Sequence, residues 1–499
     1  MKTKALLLVG LFVVSQSFAE SDSSSALELI PHEGGFKFSA SDHMMASSAT
    51  EGDQSDISVL KILNETEVGA EWGEYVASLG WTNRYASQGA VEPSRALQIE
   101  KKSLHGEWKD WVFRLGDTHV EFGKGIALSL YRDQNFGVDT TLEGGYLRYH
   151  PSGWDTQVFA GRLNGWDNPV AIFNLENPVA SNEVVMAGAS SKIALSDTSQ
   201  LGGHYLFAMR RPLLDTRYER RWNTMGLSFN QEGLFDTLDF YAETNLMLED
   251  RLGDPNFYFP EAYGSYASFT WSSSPWKVKL EGKDYRNYRF DFRRPPTLEE
   301  DIVVSLNTEN VSATRLMTER RFDGTVESVA ASYLLGEDRA ERASTALHHI
   351  VLSTKGVGLL DSHWEAKVGY RRLIELSDLA HVAFKLKVPT SKKQAVEMGY
   401  RKQLSRANLS QPELRQDRNM MDVGYTFSSQ LSASLGYEFI PTANEANQNF
   451  VNLSATLKMD ALSTRALIGQ TSGGTLCSAG VCRQVPPFSG AYLELSYSL

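Results

Sequence analysis

The chain has 499 residues, 42% of them apolar, with 39 glycines, two cysteines and a formal charge of -12. That length permits one large domain or several, and the acidic balance argues against general nucleic-acid binding. Beyond its first residues the chain nowhere approaches the roughly 18 consecutive apolar residues of a membrane-spanning helix, so no such helix is expected.

Residues 1–19, MKTKALLLVGLFVVSQSFA, join a basic start (Lys2, Lys4) to an apolar run from Ala5 to Val14 and a small-x-small site at Ser17-Phe18-Ala19. This order predicts a secretory signal peptide with a mature chain starting near Glu20; no Cys follows the run, so no lipoprotein anchor is expected. Residues 20–56 are expected as an N-terminal periplasmic segment, in which GGFKFSAS (34–41) is either a first strand or an unpaired piece.

From residue 57 to 499 one unit repeats: a short stretch alternating apolar and polar, then a break rich in Gly, Ser, Asn, Asp or Pro. In TLDFYAETNL, Leu238, Phe240 and Leu246 oppose Asp239, Glu243 and Asn245. WKVKLEGK sets Trp276, Val278 and Leu280 against Lys277, Lys279, Glu281 and Lys283. HWEAKVGYR and LAHVAFKLKV repeat the pattern, with His363, Glu365, Lys367 and Arg371, then His381, Lys385 and Lys387, on the polar side. QLSASLGYEF and NFVNLSATLKM continue it, and the chain ends on YLELSYSL with Leu493, Leu495, Tyr497 and Leu499 on one face. A period of two is the period of a strand.

The breaks alternate in length. Short ones near 150–154, 195–200, 231–236, 273–275, 388–392, 427–430 and 459–461 interleave with medium or long ones near 164–182, 211–220, 249–263, 291–344, 404–417, 440–448 and 472–489. Only the break near 375–379 is short where a long one is due. Short periplasmic turns and longer extracellular loops are the habit of outer-membrane barrels. Stacked soluble sandwiches also alternate, but a chain of this size should then divide into units of roughly 100 residues joined by linkers, and no linker is visible. In lipid an open sheet would leave unpaired backbone groups at its edges, so it must close. The expected fold is all-β: one transmembrane antiparallel up-and-down β-barrel of about 20 strands (18–22) over 57–499, in the bacterial outer membrane, with a long extracellular loop at 291–344.

YLELSYSL resembles the C-terminal strand by which bacterial outer-membrane proteins are recognised by the barrel-assembly machinery, with Tyr497 and Leu499 as the signal; the usual last residue is Phe or Trp, where this chain has Leu499. EFGKGIALSLYRDQNFGVDTTLEGG (121–145) and RRPPTLEEDIVVSLNTENV (293–311) are similar to segments of a family of large outer-membrane barrels of unassigned function. The resemblance implies a porin-like superfamily and supplies no substrate.

A barrel of this size is too wide for side chains alone to fill. Its predicted lumen carries both signs: Lys277, Lys279, Lys283, His363, Lys367, Arg371, His381, Lys385, Lys387 and Arg401 against Asp239, Glu243, Glu281, Glu365 and Glu397. Either these charges order water and screen solutes, or they are the solvated cross-strand pairs that any wet lumen needs. Loop 291–344, with Pro295-Pro296, is the candidate for a segment folded into the pore, with an outward pair of strands, an exposed loop or a cap on the mouth as alternatives. RRPLLDTRYERR places Arg210, Arg211, Arg217, Arg220 and Arg221 at the outer rim, either to hold anionic solutes or lipopolysaccharide phosphates or as a solvated loop. Cys477 and Cys482 in TLCSAGVC can close a small disulfide ring in an oxidising compartment; free thiols are the alternative.

No G-x-S-x-G, H-E-x-x-H, CxxC or phosphate loop organises His204, His348, His349, His363 or His381, so neither enzyme chemistry, a metal nor a cofactor is expected. VEFGKGIAL is read as strand, its glycines admitting a bulky neighbour or a bend. Two functions stay open: a passive channel for small hydrophilic solutes, or a non-transporting scaffold, adhesion surface or envelope-complex component. The expected surroundings are outer-membrane lipid, lipopolysaccharide and the assembly machinery, and the sequence leaves the oligomeric state unassigned.

Overall fold

The computed structural model describes residues 36–50, 58–72, 75–87, 98–133, 138–163, 182–212, 220–251, 262–288, 292, 296, 298, 310–339, 345–373, 377–407, 417–441, 448–472, 474–478, 481–485 and 488–498. Among them 24 strands form one antiparallel sheet in which each pairs with its sequence neighbours. The first strand, Phe36–Thr50, then pairs with the last, Phe488–Ser498, from Ser41 opposite Ser498 to Thr50 opposite Ser489. No helix is long and apolar enough to cross a membrane among these residues. Closure leaves no sheet edge, which is what hydrocarbon demands of a β-structure.

One face of every strand carries the large exposed apolar side chains, including Leu79, Leu115, Val158, Leu246, Ile350, Val368 and Leu453. This is the outside, because the alternate residues meet buried partners within the sheet's concavity. At the tight-turn end the outside becomes aromatic: Trp72, Tyr75, Trp108, Trp111, Trp154, Trp271, Trp276 and Phe427 are all exposed. Trp72 stacks on Tyr75 at 5.9 Å and Tyr75 on Trp108 at 6.3 Å. Such a girdle suits the headgroup level, where an aromatic body meets lipid and its polar tip meets water. The turns themselves follow local rules: in Pro151-Ser152-Gly153-Trp154 the Trp154 N–H donates to the Pro151 carbonyl at 3.1 Å, and Gly153 supplies the required φ of 78°.

The structure adds strands to the expected count of about 20. The stretch 291–344 contains two wall strands, Val311–Arg321 and Val326–Asp338, where one long loop was expected. Their outward residues include Ser312, Thr314, Thr318 and Ala331, so the contrast between faces that marks a strand is weak there. GGFKFSAS contributes to a wall strand, Phe36–Thr50, the one that closes the barrel, which is the first of its two alternatives. The signal-peptide segment and Leu499 lie outside the described residues.

Candidate functional site

Between the strands Trp111–Thr118 and Leu142–Tyr149, which pair directly in the wall, the described residues 119–133 and 138–141 leave the sheet and turn into the lumen. VEFGKGIAL, read as one strand, is therefore not a strand of the wall but a small hairpin inside it. Glu121–Phe122 pairs with Leu128–Ser129, and the Gly125 N–H donates to the Phe122 carbonyl at 3.0 Å across a turn whose first central residue, Gly123, has φ 60°. Glycine accepts that conformation without strain. Gly123 is also where the turn touches the wall, since a Cβ there would overlap the Glu243 carboxylate.

Val120, Phe122, Ile126, Leu128 and Leu130 are each 2% exposed or less, packed against Phe159, Met186, Leu206, Trp222 and Met247 on the inner wall. At about 1.5–3 kcal/mol per buried side chain, this packing contributes on the order of 10 kcal/mol as an upper figure. A single polar latch contributes about 1–3 kcal/mol. Burial therefore keeps the loop inside, and the polar contacts set its register. Those contacts centre on Glu243: its Oε2 accepts from the Lys124 backbone N–H at 2.8 Å and from the Tyr241 hydroxyl at 2.6 Å, and its Oε1 accepts from Asn245 Nδ2 at 2.9 Å. Lys124 Nζ stands 5.1 Å from the Tyr241 ring centroid, and Gln157 Nε2 donates to the Glu121 carbonyl at 3.0 Å.

A second segment joins the first from beyond the strand Trp276–Arg286. The Ser129 N–H donates to the Phe292 carbonyl at 2.9 Å, and Tyr288 and Leu298 are fully buried in the same apolar cluster. Of the stretch 291–344, for which folding into the pore was one of several alternatives, Phe292 and Leu298 thus lie inside the barrel, but most of the described inward residues belong to 119–133 and 138–141. The inner wall here is apolar in its outer half (Val184, Met186, Leu206, Ala208, Val311, Leu334 and Leu347), a feature the sequence reading missed. Its only sequence signal was an alternation in which both phases held small or apolar residues, as in NEVVMAGASS.

All fifteen charged or histidine residues expected in the lumen lie on the inward face, and they differ in exposure. Glu243, Glu281, Lys283, Arg371 and His381 are buried against neighbours. Glu281 binds Lys279 Nζ at 2.9 Å, the Tyr266 hydroxyl at 2.7 Å and Arg315 Nε at 2.9 Å, with Arg315 Nη2 on the same oxygen as Nε. Lys277 and Lys367 are half-buried. Asp239, His363, Glu365, Lys385, Lys387, Glu397 and Arg401 are exposed although they point inward, so space remains beside them. Glu365 lies opposite Lys385, and Lys387 forms an ion pair with Glu397.

At the closing seam His43 bridges two carboxylates, Nδ1 to Glu65 at 3.3 Å and Nε2 to Glu494 at 3.0 Å, and the Tyr492 hydroxyl donates to Glu494 at 3.0 Å. The rim arginines separate by face: Arg210 opposes Arg220 on the inward face, while Arg221 takes the outward register. Arg211 sits in the wall and Arg217 lies outside the described residues. The histidines do not converge. His349 and His381 meet inside at 3.2 Å, His204 contacts Asn245 farther round the inner wall, and His348 lies outside against Tyr333 at 2.9 Å. Cys477 and Cys482 are direct register partners in the hairpin of Gly474–Ser478 with Val481–Val485.

No family model and no curated protein sequence matches the chain. Among solved structures, the chain is similar to the E. coli P pilus tip assembly intermediate PapC-PapD-PapK-PapG, with TM-score 0.53 at 9% identity over 95% of this chain and 62% of that one. The siderophore receptor PirA from Pseudomonas aeruginosa aligns with TM-score 0.48 at 9% identity over 94% of this chain and 81% of that one. Pseudomonas aeruginosa OpdQ aligns with TM-score 0.39 at 12% identity, over 75% of this chain and 98% of its own. At these identities the likeness is one of fold: the chain is a large closed β-barrel of the bacterial outer-membrane type.

Proposed function

We propose that this outer-membrane barrel is a passive channel for small hydrophilic solutes, with the loop 119–141 as its constriction. The observation that supports it most directly is the exposure of His363, Glu365, Lys385, Lys387, Glu397 and Arg401 on the inward face, beyond the sector that the loop fills. Charged side chains are stable there because water reaches them. A wall bearing both signs, with Glu365 beside Lys385, screens solutes by charge distribution more than by net charge. Translocation of this kind involves no chemical step. The test is single-channel recording of the mature chain in planar bilayers. Ohmic steps support the channel, and a folded barrel that gives none overturns it in favour of a non-transporting scaffold.

A further inference from the structure

The outside of the barrel, which should be a continuous apolar belt, has a hollow. In direct register across the wall, one outward row reads Leu227, Thr244, Ser265, Asp284, Ser312 and the next reads Phe229, Ala242, Ala267, Gly282, Thr314. Across four adjacent strands these two rows hold only small or short side chains. Leu227 and Phe229 wall the hollow on one side and Leu335, opposite Thr314, on the other. The row on the tight-turn side, Phe240, Phe269, Leu280 and Leu316, closes the third side, and Leu246 with Tyr263 the fourth. The hollow is open toward the lipid side and has a volume of about 590 Å³, inside the range of roughly 300–1,000 Å³ typical of ligand sites. The Thr244 and Ser265 hydroxyls bond each other at 2.9 Å, which satisfies one of their two O–H donors without water.

Position identifies what fills it. Tyr263 lies eight residues up its strand from Trp271 of the turn-side girdle. That is about 20 Å along the membrane normal for a rise of about 3.4 Å per residue and a tilt of about 40°. By the same measure the two rows of the hollow, at Ala267 and Ser265, lie about 10 and about 16 Å above the turn-side girdle of a belt about 25 Å tall, so the hollow reaches from the midplane into the outer leaflet and its upper lip faces the outer headgroup level. That lip is polar on the lipid-facing side: Tyr263 donates its hydroxyl to Asp284 at 2.7 Å, Arg339 contacts Asp284 at 3.2 Å and Glu337 at 3.3 Å, and Arg286 lies 5.4 Å from the Tyr263 ring centroid and 3.7 Å from Asp284. The Arg286 side chain is 55% exposed.

We propose that this hollow seats an acyl chain of an outer-leaflet phosphorylated glycolipid, the lipid A portion of lipopolysaccharide, with Arg286 and Arg339 meeting its phosphate and Asp284 and Glu337 accepting from its sugar hydroxyls and amides. An apolar hollow facing hydrocarbon holds no water, and a chain lying across small side chains recovers the dispersion contacts a void would lose. Guanidinium and carboxylate side by side fit a headgroup that is both anionic and rich in hydroxyls, whereas a phospholipid phosphate offers little for the carboxylates. Of the rim arginines, for which anionic solutes, lipopolysaccharide phosphates or a solvated loop were the alternatives, Arg210 and Arg220 face the lumen and so do not meet the lipid.

The test measures lipid A retained per barrel by mass spectrometry after extraction of full-length protein from outer membranes in mild detergent. Gly282→Phe fills the hollow, and nothing in the wall opposes it, since the nearest atom to an added Cβ is the Ala313 carbonyl oxygen at 3.9 Å. Both Gly282→Phe and the pair Arg286→Ala, Arg339→Ala are expected to retain about tenfold less lipid A, with channel conductance unchanged. Should Gly282→Phe not assemble, Thr314→Leu fills the same space. Equal retention by filled and open barrels overturns the proposal. So does retention of phospholipid in place of lipid A, or a wild-type dimer that Gly282→Phe converts to monomer, which would make the hollow a protein interface. Conductance is read separately, so failure here leaves the channel reading untouched.

Discussion

Glu243 Oε2 accepts the backbone N–H of Lys124, 119 residues earlier in the chain, at 2.8 Å. The contact ties the inward turn to the middle of the wall at the one position, Gly123, where a side chain would collide with the carboxylate. Loop and wall are therefore fitted to one another, and the pore that a 24-strand sheet would leave is reduced by a segment of its own chain.

Replacing 121–139 with a short linker should enlarge the single-channel step, since the loop occupies the lumen through five buried apolar side chains. Phe122→Asp should act in the same direction by placing a charge in the apolar cluster, at a cost of several kcal/mol to the docked state. Glu243→Gln should remove about 1–3 kcal/mol of register-setting contact while leaving the loop docked, so its step size should stay near wild type. Step sizes in the same bilayers rank the three; an unchanged step in the deletion would remove 119–141 as the constriction.

Glu281→Ala leaves Arg315, whose side chain is 11% exposed, without that carboxylate, with an expected loss of about 3–5 kcal/mol. Arg315→Met in the same chain should recover part of that loss, because it removes the uncompensated charge. Urea unfolding of refolded barrels in detergent measures both, and a double variant less stable than Glu281→Ala would contradict the account.

Selectivity should follow the exposed inward charges. Lys385→Glu with Arg401→Glu is expected to move the reversal potential toward cations in a salt gradient, and the shift should shrink in 1 M salt, where the screening length falls to about 3 Å. An identical reversal potential at low salt would show that ions do not pass these strands.

The register of Cys477 with Cys482 suits the disulfide expected from their spacing, since direct antiparallel partners have Cα atoms about 4.5–5.5 Å apart, within the span a disulfide bridges. Alkylation of the folded protein followed by mass measurement should add no label before reduction and two after it. Two labels without reductant would assign free thiols.

Strand identity was legible wherever the two faces differ. WKVKLEGK and HWEAKVGYR announce a greasy outside and a charged inside because lipid and water select opposite side chains at alternate positions. The same logic hid Val311–Arg321, whose outward Ser312 and Thr314 belong to the hollow and so lack the aliphatic signature of the belt. It also misassigned VEFGKGIAL, since a segment packed inside a barrel is as apolar as one facing lipid, and period alone does not say which.

The sequence by itself determined that the chain is an antiparallel β-protein of alternating short and long connections, and which face of most strands carries charge, because both follow from the pleat and from local turn chemistry. The tertiary structure alone decided that Phe36–Thr50 closes against Phe488–Ser498, that 119–141 descends beside Glu243, and that small residues from four strands align into one hollow. These depend on register between segments tens to hundreds of residues apart, and register is a property of the closed sheet that no local window of sequence contains.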